Sequence, residues 1–90
     1  MINELSAKKE KAFDCIKEIL TGKEHYDIFG INLAKVKPES KLLQDLGLDS
    51  LDTYCLIHCI EEKLAISIPD EKAWEFKTIR DIMIFAAKQM

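Results

Sequence analysis

One serine, Ser50, stands between two carboxylates, Asp49 and Asp52, in the run "DLGLDSLD" from Asp45 to Asp52. A serine hydroxyl attacks a substrate only when a base takes its proton and an oxyanion hole receives the developing charge. Neither is visible: G-x-S-x-G is absent, and nothing in the sequence brings His25 or His58 to Ser50. The other chemistry-bearing cluster is Cys55, His58 and Cys59. A zinc site needs about four ligands, and only His25 and Cys15 remain to complete one. Asp45, Asp49 and Asp52 do not follow the D-x-D-x-D-G order of a calcium loop. No catalytic residue and no metal ligand is assigned, and the thiols are expected to pack as small apolar groups.

Ser50 then has two readings, a helix start or a point of covalent attachment. Gly47 permits a tight turn just before it. Asp49 suits the N-cap, where capping contributes about 1 kcal/mol and the charge at the positive helix end roughly 0.3–1 kcal/mol. Ser50 falls in the first turn with its hydroxyl expected to point outward. A helix N-terminus favours an anion, so a phosphodiester on Ser50 would be stabilised there, with the charge of Asp49 opposing it. On spacing alone the helix start carries more weight, because Asp-Ser pairs commonly serve that purpose.

The elements that must hold Ser50 follow from hydrophobic periodicity. Residues 4–20 read as an amphipathic helix with Leu5, Ala12, Ile16 and Ile19 near one face, Phe13 and Leu20 beside it. Asn3 is its expected cap and Thr21-Gly22 its stop. Residues 22–49 form a long first loop too apolar for a linker, with Tyr26, Ile28, Phe29, Ile31, Leu33 and Val36. A loop of this length should contain a short helical turn; "SKLLQDLG" offers one, with Ser40 as cap and Leu42, Leu43 and Leu46 inward. Residues 50–64 form the clearest helix, and it is expected to be central. Leu51, Tyr54, Cys55, His58 and Cys59 recur at spacings of three and four, and Leu56, Ile57, Ile60 and Leu64 widen the apolar surface. Pro69 biases Ile68 toward an extended conformation. Asp70 is the expected cap of a short helix, "EKAWEF", with Trp74 and Phe76 read as core anchors ahead of the alternative, partner contact. Thr78 and Asp81 have capping-box spacing at the start of a last helix over residues 78–89. The expected class is all-α: three long helices and one short one.

The composition narrows the function. Ninety residues are read as one domain, 1–90, with a small core that favours a binding or carrier module over a deep catalytic cleft. The longest apolar run, "IMIFAA", falls far short of the roughly 20 residues that span a bilayer. No apolar stretch follows the N-terminal lysines, and an odd cysteine count without CxxC suits a reducing compartment. A cytoplasmic protein is expected. The net charge is −3 but uneven: residues 1–40 balance, whereas residues 41–72 sum to −4 and surround Ser50. This is the reverse of a nucleic-acid-binding face. It suits either an ordinary solvated surface or the attraction of basic protein partners.

The run "DLGLDSLD" resembles the phosphopantetheine attachment motif of acyl carrier proteins, usually written D-L-G-x-D-S-L-D. The likeness continues through "IEEKLAISIPDE", Ile60 to Glu71, and covers residues 38–88. It implies a four-helix bundle with a short third helix. It implies that Ser50 receives 4′-phosphopantetheine, transferred from coenzyme A by a Mg²⁺-dependent phosphopantetheinyl transferase. Asp49 would help engage that transferase and its metal. Leu51 would be buried by partner enzymes, with Asp52, Glu61, Glu62, Asp70 and Glu71 on the acidic partner-facing surface. The arm's thiol would carry acyl groups as thioesters in fatty-acid, polyketide or related specialised acyl biosynthesis. The interior of many members shelters the acyl chain. The implied protein is a monomeric carrier rather than an enzyme. Its partners are the transferase and acyl-loading, acyl-transferring or condensing enzymes with basic docking surfaces.

Two alternatives accompany this reading. An aminoacyl or peptidyl carrier usually has "G-G-x-S-L" at the site, and Leu48-Asp49 favours the acyl type. An unmodified helical adaptor would use its acidic face for docking alone. The chain departs from the family pattern at Cys55 and Lys63, where acids are common, and in the longer segment before Ser50. These departures point to specialised partners.

Overall fold

The computed structural model describes residues 4–22 and 30–90. Helix α1 spans Glu4–Leu20 and buries Ala12, Cys15, Ile16, Ile19 and Leu20. Leu5, expected on that face, is exposed, and Asn3 lies outside the described residues. The expected stop forms. The Thr21 hydroxyl donates to the Lys17 carbonyl at 2.7 Å, and Gly22 adopts φ 80°, the left-handed conformation that closes helix ends.

The described part of the loop is ordered by its own polar groups. Ile31 N–H donates to the Leu20 carbonyl at 2.7 Å, which returns the chain to the end of α1. A 3₁₀ turn follows at Leu33–Lys35, capped by Asn32. Ser40 is buried and closes the turn behind it rather than capping the one ahead. Its Oγ donates to the Lys35 carbonyl at 2.6 Å and accepts from Lys37 N–H at 3.0 Å. The Asp45 carboxylate takes the capping role, accepting from Lys41 N–H at 2.7 Å. Leu42 and Leu48 enter the core, Leu46 packs against it, and Leu43 is 60% exposed. The expected inward Leu43 is thus outward: the buried leucines are those beside the Leu48 N–H···Leu42 carbonyl bond that closes the turn. Tyr26, Ile28 and Phe29 lie outside the described residues.

An isolated antiparallel bridge joins Lys41 to Thr78. Leu42 N–H donates to the Lys77 carbonyl and Ile79 N–H to the Ser40 carbonyl, at 2.9 and 3.1 Å. This bridge fastens the segment before Ser50 to the start of the last helix. Among the described residues no strand forms.

Helix α2 spans Ser50–Leu64, α3 Asp70–Ala73 and α4 Ile79–Gln89. Helix α4 begins with the expected capping box: Asp81 N–H donates to Thr78 Oγ1 at 3.2 Å, and Thr78 N–H to the Asp81 carboxylate at 3.1 Å. The short helix begins one residue earlier than expected, with Pro69 at the N-cap and no side-chain cap. Helix α1 packs against both α4 and α2, and α3 rests on α2. Between them lie the fully buried Ile16, Ile19, Leu20, Leu56, Ile60, Ile79 and Ile82. Burying a side chain of this size contributes about 1.5–3 kcal/mol, so this apolar seam supplies the main driving force for the helical bundle.

The buried face of α2 is Thr53, Leu56, Ile57 and Ile60. The expected stripe of Leu51, Tyr54, Cys55 and His58 is instead rotated outward: Leu51, Cys55 and His58 are exposed and Tyr54 is half-buried. Both sets have helical spacing, and the larger aliphatic side chains take the interior. Cys15 is buried and Cys59, half-buried, packs against the core, whereas Cys55 is exposed, so the expectation of packed thiols fails at Cys55.

Candidate functional site

Ser50 is the first residue of α2 and is exposed. The helix begins here because Asp49 and Asp52 cap it reciprocally. Asp49 Oδ1 accepts from Asp52 N–H at 2.8 Å, and Asp52 Oδ2 accepts from Asp49 N–H at 3.3 Å. Gly47 precedes this start at φ 68°, a conformation that L side chains rarely adopt. Both flanking carboxylates are therefore engaged with backbone, and the serine hydroxyl is presented between them at a helix N-terminus.

Beside Ser50 opens a cleft of about 390 Å³. Leu42, Leu48, Ala73 and Thr53, all buried, line it together with the more exposed Leu43, Tyr54, Trp74 and Phe76. Lys41 and Lys77 line the same cleft as Ser50 and Asp49. The Lys41–Thr78 bridge positions both. An exposed hydroxyl at a positive helix end, with an apolar-floored cleft and two lysines beside it, fits a long arm attached through a phosphodiester. Among the described residues no three His, Cys, Asp or Glu side chains converge where a metal ion could sit.

The acidic residues singled out in the sequence divide into two sets. Asp52 belongs to the capping box. Glu61 is half-buried, and its Oε2 accepts from Ile68 N–H at 2.9 Å. Its Oε1 lies 3.6 Å from His58 Nδ1. Both residues hold backbone as well as facing outward. Glu62, Asp70 and Glu71 are exposed, and the Asp70 carboxylate accepts a hydrogen bond from Tyr54 that pushes the phenol above its usual pKa. Leu51 is 73% exposed, directly after Ser50.

Trp74, expected in the core, is 61% exposed. Helix α3 inserts Ala73 instead, while Phe76 packs against Phe85 with ring centroids 5.8 Å apart. The signal was present in the spacing. Trp74 stands four residues after Asp70 and three after Glu71, the separations that share a helix face. Lys41, Lys77 and Thr53 were missed as lining residues because the bridge that gathers them joins distant parts of the chain.

The comparisons agree with this geometry. The family described as "Phosphopantetheine attachment site" matches residues 27–85. The acyl carrier protein of Treponema denticola is 54% identical over 55 residues, covering 61% of this chain and 70% of that protein. That of Helicobacter hepaticus is 36% identical over 73 residues, covering 81% and 90%. That of Wolinella succinogenes is 42% identical over 71 residues, covering 79% and 87%. A serine exposed at a capped helix start, inside a segment shared with these carriers, leaves one conclusion: the chain belongs to the acyl carrier protein family, and the group it carries is a covalently attached 4′-phosphopantetheine.

Proposed function

We propose that Ser50 is the attachment point and that the protein shuttles acyl intermediates of fatty-acid, polyketide or related specialised acyl biosynthesis between separate enzymes in the cytoplasm. The observation that carries this reading is the exposed Ser50 hydroxyl at the first turn of α2, beside the cleft between α2, α3 and the 41–48 segment. When attached, the arm supplies a terminal thiol that holds cargo as a thioester. The chain's own residues do the rest. Asp49 and Asp52 fix the helix start, so Ser50 is held at the surface within reach of a transferase. Lys41 and Lys77 offset the carboxylate charge near the phosphodiester. Leu42, Leu48 and Ala73 offer an apolar floor that shields cargo from water.

The docking surface in this reading comprises Leu51, Asp52, Glu61, Glu62, Asp70 and Glu71. Exposed Leu51 supplies an apolar contact, and the acidic residues steer basic surfaces of the phosphopantetheinyl transferase and of acyl-loading, acyl-transferring or condensing enzymes. The carrier acts as a monomer, since partners must reach Ser50 and Leu51 in turn.

Intact mass after incubation with coenzyme A and a broad-specificity phosphopantetheinyl transferase tests the assignment. The wild type gains one phosphopantetheine and Ser50→Ala gains none. A Ser50→Ala chain that still loads would move the attachment point elsewhere.

A further inference from the structure

The exposed face shared by α2 and α3 carries an aromatic strip. Tyr54 and Trp74 have ring centroids 6.2 Å apart at 43°, and Tyr54 and His58 lie 4.9 Å apart at 52°. Trp74 is the only tryptophan of the chain, and it is 61% exposed rather than packed. The strip is edged by carboxylates. Asp70 accepts the hydrogen bond of Tyr54, and Glu61 is close enough to act on the same phenol. Among the described residues the chain's own cation–ring contact is Lys17 with Phe13 on α1, at 4.8 Å from the centroid.

We propose that Trp74 and Tyr54, edged by Asp70 and Glu61, form a seat for an arginine side chain of the partner enzyme, and that this seat sets partner preference. The proposal rests on the carrier reading only for the partner being an acyl-handling enzyme. A guanidinium is planar, stacks on aromatic faces and stays charged, so one group satisfies both the exposed ring and the carboxylates beside it. The local charge is complementary: residues 41–72 sum to −4. Exposed tryptophan and tyrosine are also the residue types over-represented among binding hot spots. Leu51 and Ser50 lie on the same helix as Tyr54, so an arginine held here would orient a partner toward the arm.

The test uses the full chain and a dye-labelled helical peptide bearing one arginine. Matched peptides carry lysine or citrulline, the neutral isostere of arginine, at that position. Anisotropy reads affinity, and Trp74 emission reports occupancy of the seat directly. The arginine peptide should bind roughly 3–10-fold tighter than the citrulline peptide, with lysine between. That preference should vanish in Trp74→Ala and return in Trp74→Phe. Equal affinity for arginine and citrulline, or an arginine preference that survives Trp74→Ala, overturns the seat. If attaching the arm alone shifts Trp74 emission and abolishes arginine binding, the arm occupies the strip and the proposal is wrong. Failure of Ser50 to load in the wild type refutes the carrier reading and leaves the peptide result standing.

Discussion

The Glu61 carboxylate accepts a hydrogen bond from the backbone amide of Ile68 at 2.9 Å, so the last turn of α2 holds the segment that leads into α3. Ile68 is itself buried. The acidic face of α2 is thus part of the mechanism that places α3, and with it the far wall of the cleft beside Ser50.

A first prediction separates support from docking. Glu61→Ala leaves the Ile68 amide without its partner and should lower stability by about 1–3 kcal/mol. Glu61→Gln retains an acceptor and should recover much of that. Glu62→Ala, at an exposed position, should change stability by less than about 0.5 kcal/mol. Urea midpoints for the three variants provide the measurement. Equal midpoints for Glu61→Ala and Glu62→Ala would remove the supporting role. Charge reversal meant to probe docking alone belongs at Glu62, because reversal at Glu61 or Asp52 also disturbs the fold.

Asp49 admits a similar separation at the helix start. Asp49→Ala removes the acceptor for Asp52 N–H and should cost about 1 kcal/mol, whereas Asp49→Asn keeps an equally good cap. If the charge of Asp49 serves transferase engagement, both variants should slow loading of Ser50 while Asn leaves the thermal midpoint nearly unchanged. Asn loading at the wild-type rate would confine Asp49 to capping.

These cases show which parts of the structure were legible in the sequence. The starts of α2 and α4 were readable because Asp49, Thr78 and Asp81 satisfy backbone groups three residues away. The stop at Thr21-Gly22 is local for the same reason. Leu43 and Trp74 were not readable as outward-facing: which apolar side chains are buried depends on the Lys41–Thr78 bridge and on the packing of α3 against α2. Spacing points Ser40 at the turn ahead, but its partners, Lys35 and Lys37, precede it. Of the site, Ser50 and the Asp49 cap were visible in the motif, whereas the reciprocal cap from Asp52 emerged only in the structure. The cleft and its lysines needed the long-range bridge.

The thiols should react in the order of their exposure. With iodoacetamide at neutral pH, Cys55 should be alkylated first, Cys59 more slowly and Cys15 last, since they are exposed, half-buried and buried respectively. Peptide mapping by mass spectrometry gives the order. Early modification of Cys15 under native conditions would show that the α1 face opens readily.

Cys15 also makes stability depend on pH. Burial pushes its thiol up from an ordinary 9.0 to about 11, so the folded state binds that proton more tightly than the unfolded chain does. The contribution is complete below pH 9.0 and is lost as pH rises from there toward about 11. The loss amounts to roughly 2–3 kcal/mol at its limit. Urea midpoints should therefore fall more steeply between pH 9.0 and about 11 for the wild type than for Cys15→Ala. Parallel profiles would mean that the thiol is not desolvated.

Ala65 closes α2 with φ 55° and ψ 47°, the left-handed conformation usually given to glycine at a helix end. Its N–H donates to the Glu61 carbonyl, so the strain is fixed by the end of the same turn whose side chain holds Ile68. For an L-residue this conformation costs roughly 1–2 kcal/mol, and the greater freedom of glycine in the unfolded chain offsets part of any gain from removing it. Ala65→Gly should then raise stability by about 0.5–1 kcal/mol, read as a higher thermal midpoint, without altering loading of Ser50. A lower midpoint would mean that the Ala65 methyl group contributes packing that outweighs its backbone strain.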